Sequence, residues 1–505
     1  MEDYGVLSIL PPALSVILAV YTRNIIFSLT LGAFSGALIL SNYNPFLAIA
    51  EFVETHAFPQ LSIASNNQVL VVTLSIGGFI FMLDKSGGAR AFATVMVKFI
   101  GNSAKAQMAA WATGLSVFFS DSGNALIVGP LFKPVFRELK ICREKLAFII
   151  DTTASPICIL IPFVGWGVYI MGLIENAYAD VGINEDSFQV LLRIWPYQFY
   201  AFLALLSVPM ILSTGRDFGP MAAAQNRYNQ ALRDGTLEDE KIDEEVKKED
   251  PKLITVFLPL GLMLCTMAIY IGYFAVTDGV KSVHVRSGIT LAYIFASMGC
   301  AYLMKKNNKT TYNESINTFV AGMQKMVFIC IVLLLAWTLS SICSEMKTGA
   351  YLASLIGDRI QPSFLPLIVF FLGAMMSFAT GSSYGTFAIL MVIVVPMAHE
   401  MGAPMIFSIA AILSGGLFGD HTSPISDTTV LASMGADCPH IDHVSTQFAY
   451  AATNGAMTML AFIVAGFYPS PYIVFGILIV QFIVIRTVMK LFGHDAHGKA
   501  PQLSS

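Results

Sequence analysis

Asp420, His421, Thr422, Ser423, Pro424, Ile425, Ser426, Asp427, Thr428 and Thr429 stand in one row, after an apolar run that begins near residue 404. A second polar group follows at once: Asp437, Cys438, His440, Asp442 and His443. Carboxylates and hydroxyls are hard oxygen donors that suit a small cation. A carboxylate shielded from water also holds a proton more readily. A charged side chain at the bilayer centre costs about 2.5–3.5 kcal/mol on insertion scales, so such groups are retained where they carry something. Pro424 lacks a backbone N–H and disfavours helix at Ser423. The freed carbonyls and amides are tolerated at membrane depth only against protein or a cavity.

The first half of the chain has a similar set. Ser120, Asp121, Ser122, Gly123 and Asn124 interrupt an apolar stretch. Asp121 and Asn124, with Asp420, are the candidate sodium ligands, and the Ser120 and Ser122 hydroxyls can join them. Asp121 could equally cap the helix that follows, since Asp is a good N-cap. Asp151, Thr152, Thr153 and Ser155 lead into Pro156, a second proline break. Competition between a proton and a cation at Asp151 or Asp420 would make an exchange mechanism; each could instead bind the freed amides of its break. Thr380, Ser382, Ser383 and Thr386 form a hydroxyl-rich tip that could complete a cation shell or receive a substrate carboxylate; a small-residue packing face is the alternative. His421 could sense pH or sit neutral in the core. Thr422 and Ser423 complete the break, and Asp427 either faces the cavity or caps the next helix. The Cys438–His443 group has the residue types of a zinc site, but its spacing suits a hydrogen-bonded turn better.

These residues need helices to hold them. Apolar runs long enough to span, or nearly so, fall at about 5–20, 24–41, 69–83, 145–174, 195–213, 253–274, 286–304, 322–343, 404–435, 446–467 and 469–490. The expected fold is therefore an all-α polytopic membrane protein with about eleven transmembrane helices. Segments 104–138 and 363–401 are apolar but interrupted by small polar residues, and read as re-entrant hairpins. Thr152–Ile157 lines up with Asp420–Ile425, and each follows a hairpin. The expected domains are two inverted repeats, 1–213 and 253–467, with broken helices at the midplane. A charged cytoplasmic linker, 214–252, joins them, and 468–505 holds a final helix and tail. Inverted repeats around a central site are a transporter plan.

The chain has 505 residues, 55% hydrophobic and 12% charged, with a mean hydropathy of +0.68. Soluble domains carry about 25% charged residues. A net charge of −4 gives no reason to expect a nucleic-acid partner. The seven cysteines, among them Cys158, Cys265, Cys300 and Cys330 in apolar runs, read as small buried hydrophobes. Arg23, Arg90, Lys98, Lys133, Arg137, Lys140, Arg143 and Lys145 fall on one side of the expected spans, with the charged 214–252 loop. Glu51, Glu54, Glu175, Asp180, Glu185 and Asp186 fall on the other. The positive-inside rule then puts the carboxyl end in the cytoplasm, in the cell's inner membrane. There is no Walker sequence for ATP and no His-Glu-x-x-His or Ser/His/Asp signature, so an enzyme is not expected.

Gly419–Thr429, His440–His443, Asn124–Pro130, Arg143–Pro156 and Ser383–Thr386 together resemble the NhaC-type sodium/proton antiporter family, part of the wider ion transporter superfamily. The resemblance runs from about Gly77 to Val444. It implies secondary transport of small ions without a cofactor, a scaffold domain, a moving domain carrying both hairpins, and a homodimer. Many members have paired acidic residues where this chain has Ser120-Asp121, so one negative charge is missing. Relatives also move organic acids or amino acids. The expected function is sodium/proton antiport by alternating access, or ion-coupled carriage of a small organic anion or amino acid. A passive channel, the third class, accounts less well for paired broken helices.

Overall fold

A computed structural model describes residues 4–87, 102–234, 253–277, 279–356 and 360–495. The described residues are mostly helical. Among the described residues the sheet structure is one short antiparallel pair, Arg216 with Asp495 and Asp217 with His494. Among the described residues, ten helices are long and apolar enough to cross a membrane, and the number is twelve if each of two bent pairs is one span. Arg143–Leu160 and Gly165–Asp180 meet at 47°, Ser187–Tyr197 and Phe199–Leu212 at 45°. The sequence expectation of about eleven agrees in number, but the range includes Pro362–Thr380 and Ser383–Glu400, the two arms of the segment read as a hairpin, and leaves out Ile25–Leu40, whose 16 residues are short for a span. Arg90, Lys98 and the acidic stretch 238–250 lie outside the described residues.

Local chemistry sets the helix ends. Asn24, Asn102, Asp186 and Ser382 each cap a helix by accepting a backbone N–H with the side chain. Thr311 and Glu314 form a reciprocal capping box that starts Tyr312–Lys325. The 145–174 run divides into Arg143–Thr153, Ser155–Leu160 and Gly165–Asp180. The 404–435 run divides into Met405–Thr422 and Asp427–Ala436. Each break falls just ahead of, or at, a proline already visible in the sequence: Pro156 and Pro424.

Both interrupted segments form helix–break–helix units. Ser103–Ser116 precedes Asp121–Glu138, and Leu365–Thr380 precedes Ser383–Glu400. A helix from each half meets the other without room for side chains. A Cβ on Gly129 would lie 2.4 Å from the backbone carbon of Gly435, and one on Gly435 would lie 2.6 Å from the Ala125 carbonyl oxygen. Polar contacts reinforce this crossing: Asp437, at the end of Asp427–Ala436, takes Lys133 at 2.6 Å and Arg143 at 3.2 Å.

The first part of the 214–252 segment differs from a solvated linker. Residues 219–233 form a helix, with Met221, Ala224 and Gln225 buried. Gln225 accepts from the Cys142 amide at 3.0 Å and donates to the Lys140 carbonyl at 2.9 Å. Asp217 is buried in an ion pair with Lys145 and also accepts from the Tyr450 hydroxyl at 2.7 Å. Charge patterning misses this, because one buried partner converts a loop aspartate into a packing residue. Truncating one member of a buried pair strands the other, at a cost of about 3–5 kcal/mol. Lys145→Met is therefore expected to lower the thermal unfolding midpoint in detergent sharply. Lys145→Met/Asp217→Asn should recover much of the loss, since no charge is then stranded.

All seven cysteines are free. Cys158 and Cys300 are buried as expected, Cys330 is half-buried, and Cys265 is exposed. Cys265 lies on Ile254–Thr277, a helix with only 22% of its apolar window buried inside the protein. Its apolar neighbours there face outward, so the apolar run signals a lipid-facing helix.

Candidate functional site

Four aspartates from both halves are drawn towards one region. Asp151 lies in the last turn of Arg143–Thr153, and Asp420 in the last turn of Met405–Thr422; both are buried. Asp427 opens the helix beyond the second break, and Asp121 opens Asp121–Glu138. Asp427 is within electrostatic reach of Asp121 and Asp151, and Asp420 within reach of Asp427 and Asp151. Carboxylates brought this close repel one another unless a cation or proton is shared among them.

The two tips are built alike. Ser120 caps the first, its Oγ accepting the Gly123 amide at 3.0 Å; Ser382 caps the second, accepting the Gly385 amide at 3.2 Å. The capping role considered for Asp121 thus belongs to Ser120, one residue earlier. Asp121 is left to accept from the Ser122 amide and hydroxyl at 2.6 and 3.2 Å and from the Trp166 indole at 3.2 Å. Trp166 also packs on Tyr384 of the second tip, ring centroids 4.7 Å apart. The Tyr169 hydroxyl donates to the Tyr384 carbonyl at 2.7 Å. One helix, Gly165–Asp180, thereby touches both tips.

Each tip rests on the broken helix of its own half. Asn124 Nδ2 donates to the carbonyls of Gly114 and Thr153 at 2.8 and 2.9 Å. Ser383 Oγ donates to Asp420 Oδ2 at 2.8 Å, with the Gly416 carbonyl at 3.2 Å. Gly381 has φ +66°, the left-handed region, and a Cβ there would lie 2.7 Å from the Ile425 carbonyl oxygen. The second tip therefore needs glycine both for its turn and for its approach to the break. Ser423 Oγ closes the same contact by donating to the Phe378 carbonyl at 2.7 Å.

Asp151 is held from the other half of the chain. Its Oδ2 accepts from Thr429 at 3.0 Å and Gln447 at 2.6 Å, and His443 Nε2 lies 3.8 Å away. Gln447 also donates to the His421 carbonyl at 2.5 Å. The His421 ring lies between two hydroxyls, Tyr200 at 2.7 Å from Nδ1 and Thr152 at 3.3 Å from Nε2. Thr153, Thr380, Thr386 and Thr422 spend their hydroxyl protons on carbonyls of their own helices. Their oxygen lone pairs remain as acceptors.

Among the candidate residues, Asn124 Oδ1, Ser155 Oγ and Asp420 Oδ1 are buried and without a hydrogen-bond partner, as is Ser377 Oγ beside Gly419. Leaving such an atom unmatched costs about 1–3 kcal/mol, more when it is charged. Cys438, His440, Asp442 and His443 do not converge as a metal site among the described residues. His440 donates to the Pro424 carbonyl at 2.6 Å instead, which matches the turn reading and satisfies one acceptor freed by the break.

Trp166, Tyr200, Tyr384, Thr429 and Gln447 were not among the candidates from sequence. A buried indole or amide must find a partner, so a lone tryptophan or glutamine inside an apolar run is the signal that could have marked Trp166 and Gln447. Thr429 stood within the motif itself.

Comparisons with known proteins agree with this architecture. A family profile described as the Na+/H+ antiporter family matches residues 157–467. An uncharacterized protein of Haemophilus influenzae is 32% identical over 502 residues, covering 96% of each chain. A putative amino acid transporter of Bacillus subtilis, YuiF, is 26% identical over 400 residues, covering 75% of this chain and 82% of its own. Among solved structures, Neisseria gonorrhoeae MtrF, of a class of antimetabolite efflux pumps, aligns with a TM-score of 0.58. That alignment has 13% identity and covers 90% of this chain and 94% of the other, a likeness of fold. By its profile match across more than half the chain and its likeness to a full-length relative, this membrane protein is a transporter rather than an enzyme and belongs to the Na+/H+ antiporter family.

Proposed function

We propose that the protein exchanges sodium for protons by alternating access, with Asp121, Asp151, Asp420 and Asp427 supplying the charge. The observation that carries this reading is Asp420, a buried carboxylate near two further aspartates, whose Oδ1 has no well-aligned hydrogen bond and faces the Ser426 hydroxyl at best weakly. A proton on Asp420 could donate to Ser383 Oγ while Ser383 donates to the Gly416 carbonyl. A sodium ion would instead take the carboxylate oxygens directly. The two occupants exclude each other, which is the requirement for exchange. Asn124 and Ser155 offer further unmatched oxygens at the first break, and hydroxyls of both tips retain lone pairs.

The matched tips, each capped by serine and each resting on a proline-broken helix, support the proposal of two inverted repeats, 1–213 and 253–467. In that arrangement the tips and breaks would move as one body against a scaffold, in a homodimer within the inner membrane. A second reading, ion-coupled transport of an amino acid or small organic anion, is favoured by the likeness to the Bacillus subtilis amino acid transporter and by the carboxylate-free second tip. Proteoliposome flux separates the two. A sodium pulse should move protons across the vesicle wall with no organic solute present. Proton movement that appears only when a specific amino acid or organic acid is added would replace the first reading with the second.

A further inference from the structure

Outside the candidate site residues, the segment between Ile25–Leu40 and Ala64–Lys85 contains a π-helix, Glu51–Ala57. Its geometry is set by i→i+5 bonds, such as the Phe58 amide to the Val53 carbonyl. π-turns are rare and recur at functional sites. Here the wider turn stacks Glu51 and His56, five residues apart, on one face. His56 is 2% exposed, and its Nε2 is buried and has no hydrogen-bond partner. Nε2 lies 3.5 Å from Glu51 Oε1 and 3.7 Å from Glu345 Oε2. The three ligand atoms lie within 4.8 Å of one another. On the other side of the ring, Nδ1 lies 2.9 Å from Ser341 Oγ.

We propose that Glu51, His56 and Glu345 bind a divalent transition-metal cation of the zinc class. Separations of 3.5 and 3.7 Å are too long for good hydrogen bonds. They suit two ligands of one ion, since tetrahedral bonds of about 2.0 Å place neighbouring donors about 3.3 Å apart. A metal-bound histidine donates its second ring N–H to a neighbouring acceptor, and Ser341 is placed to accept it. Ser341 and Glu345 are one helical turn apart, so a single helix end presents both the orienting hydroxyl and a ligand. Imidazole with two carboxylates suits zinc, cobalt or manganese better than calcium or magnesium, which take mostly oxygen ligands. Water would complete the shell. The ion would pin the segment between Ile25–Leu40 and Ala64–Lys85 to the end of Val327–Glu345.

The test uses full-length protein, purified in detergent, stripped with chelator and titrated calorimetrically with zinc chloride. One saturable equivalent is expected, with a rise in the unfolding midpoint. His56→Ala should remove that equivalent. Glu345→Gln, at an exposed helix end, should weaken it about tenfold or more. Absence of the equivalent in wild type, or its retention in His56→Ala, overturns the proposal. If His56→Ala does not fold, Glu51→Gln/Glu345→Gln decides, and undiminished zinc affinity in that variant also overturns it.

Discussion

Asp121→Asn is expected to abolish sodium-dependent proton flux while the protein still folds and inserts. The substitution keeps the side-chain volume and an oxygen for the Trp166 indole, 3.2 Å away in the wild type. It removes the one carboxylate of either tip. A charge–charge contact at about 4 Å is worth about 4 kcal/mol at an effective dielectric of about 20. Its loss weakens a cation's hold by about a thousandfold. The preceding position is Ser120, so no acidic sequence neighbour takes over, and Asp427 across the region is left as one negative charge where the wild type has two. The measurement is sodium-driven proton flux in proteoliposomes, with folding checked by gel filtration and thermal unfolding. Wild-type flux in the variant would remove Asp121 from the site.

The second large effect belongs to Asp420. Asn at this position can still engage Ser383, which lies 2.8 Å from the native carboxylate. It cannot exchange a proton for a cation. With Asp121, Asp151 and Asp427 left to carry the proton–cation competition, Asp420→Asn is expected to displace the pH profile of the remaining exchange by about one unit or more, the shift produced when roughly 1.4 kcal/mol of that competition is removed. Initial rates measured across a series of matched internal and external pH values give the answer. A profile that overlays wild type would assign proton transfer to another residue. Comparing the two variants is informative in itself, because Asp121 lies at a tip and Asp420 beside a break.

Much of the architecture could be read from the chain alone. Runs near twenty apolar residues have few alternatives to spanning helices. Pro156 and Pro424 mark their breaks because a missing N–H acts locally, whatever surrounds it. Contacts across the chain could not be read this way. Thr429 reaches Asp151 from 278 positions away, and no local pattern encodes such a partner. The capping of the first tip fell one residue from the residue considered, since serine and aspartate are both good N-caps and register decides between them. Asp217 was hidden for a different reason. Its stretch is rich in charge, and the partner that buries it, Lys145, had every appearance of an ordinary surface lysine.

The hydroxyls flanking His421 have a kinetic consequence. Tyr200 and Thr152 can each give or receive a hydrogen bond by turning about a single C–O bond. The imidazole can therefore gain or lose its charge with both nitrogens still matched and every heavy atom in place. Each such turn is a single-bond rotation, whereas collective rearrangements of packed helices take microseconds to milliseconds. A change of charge at this ring therefore need not wait for a collective movement of the surrounding helices.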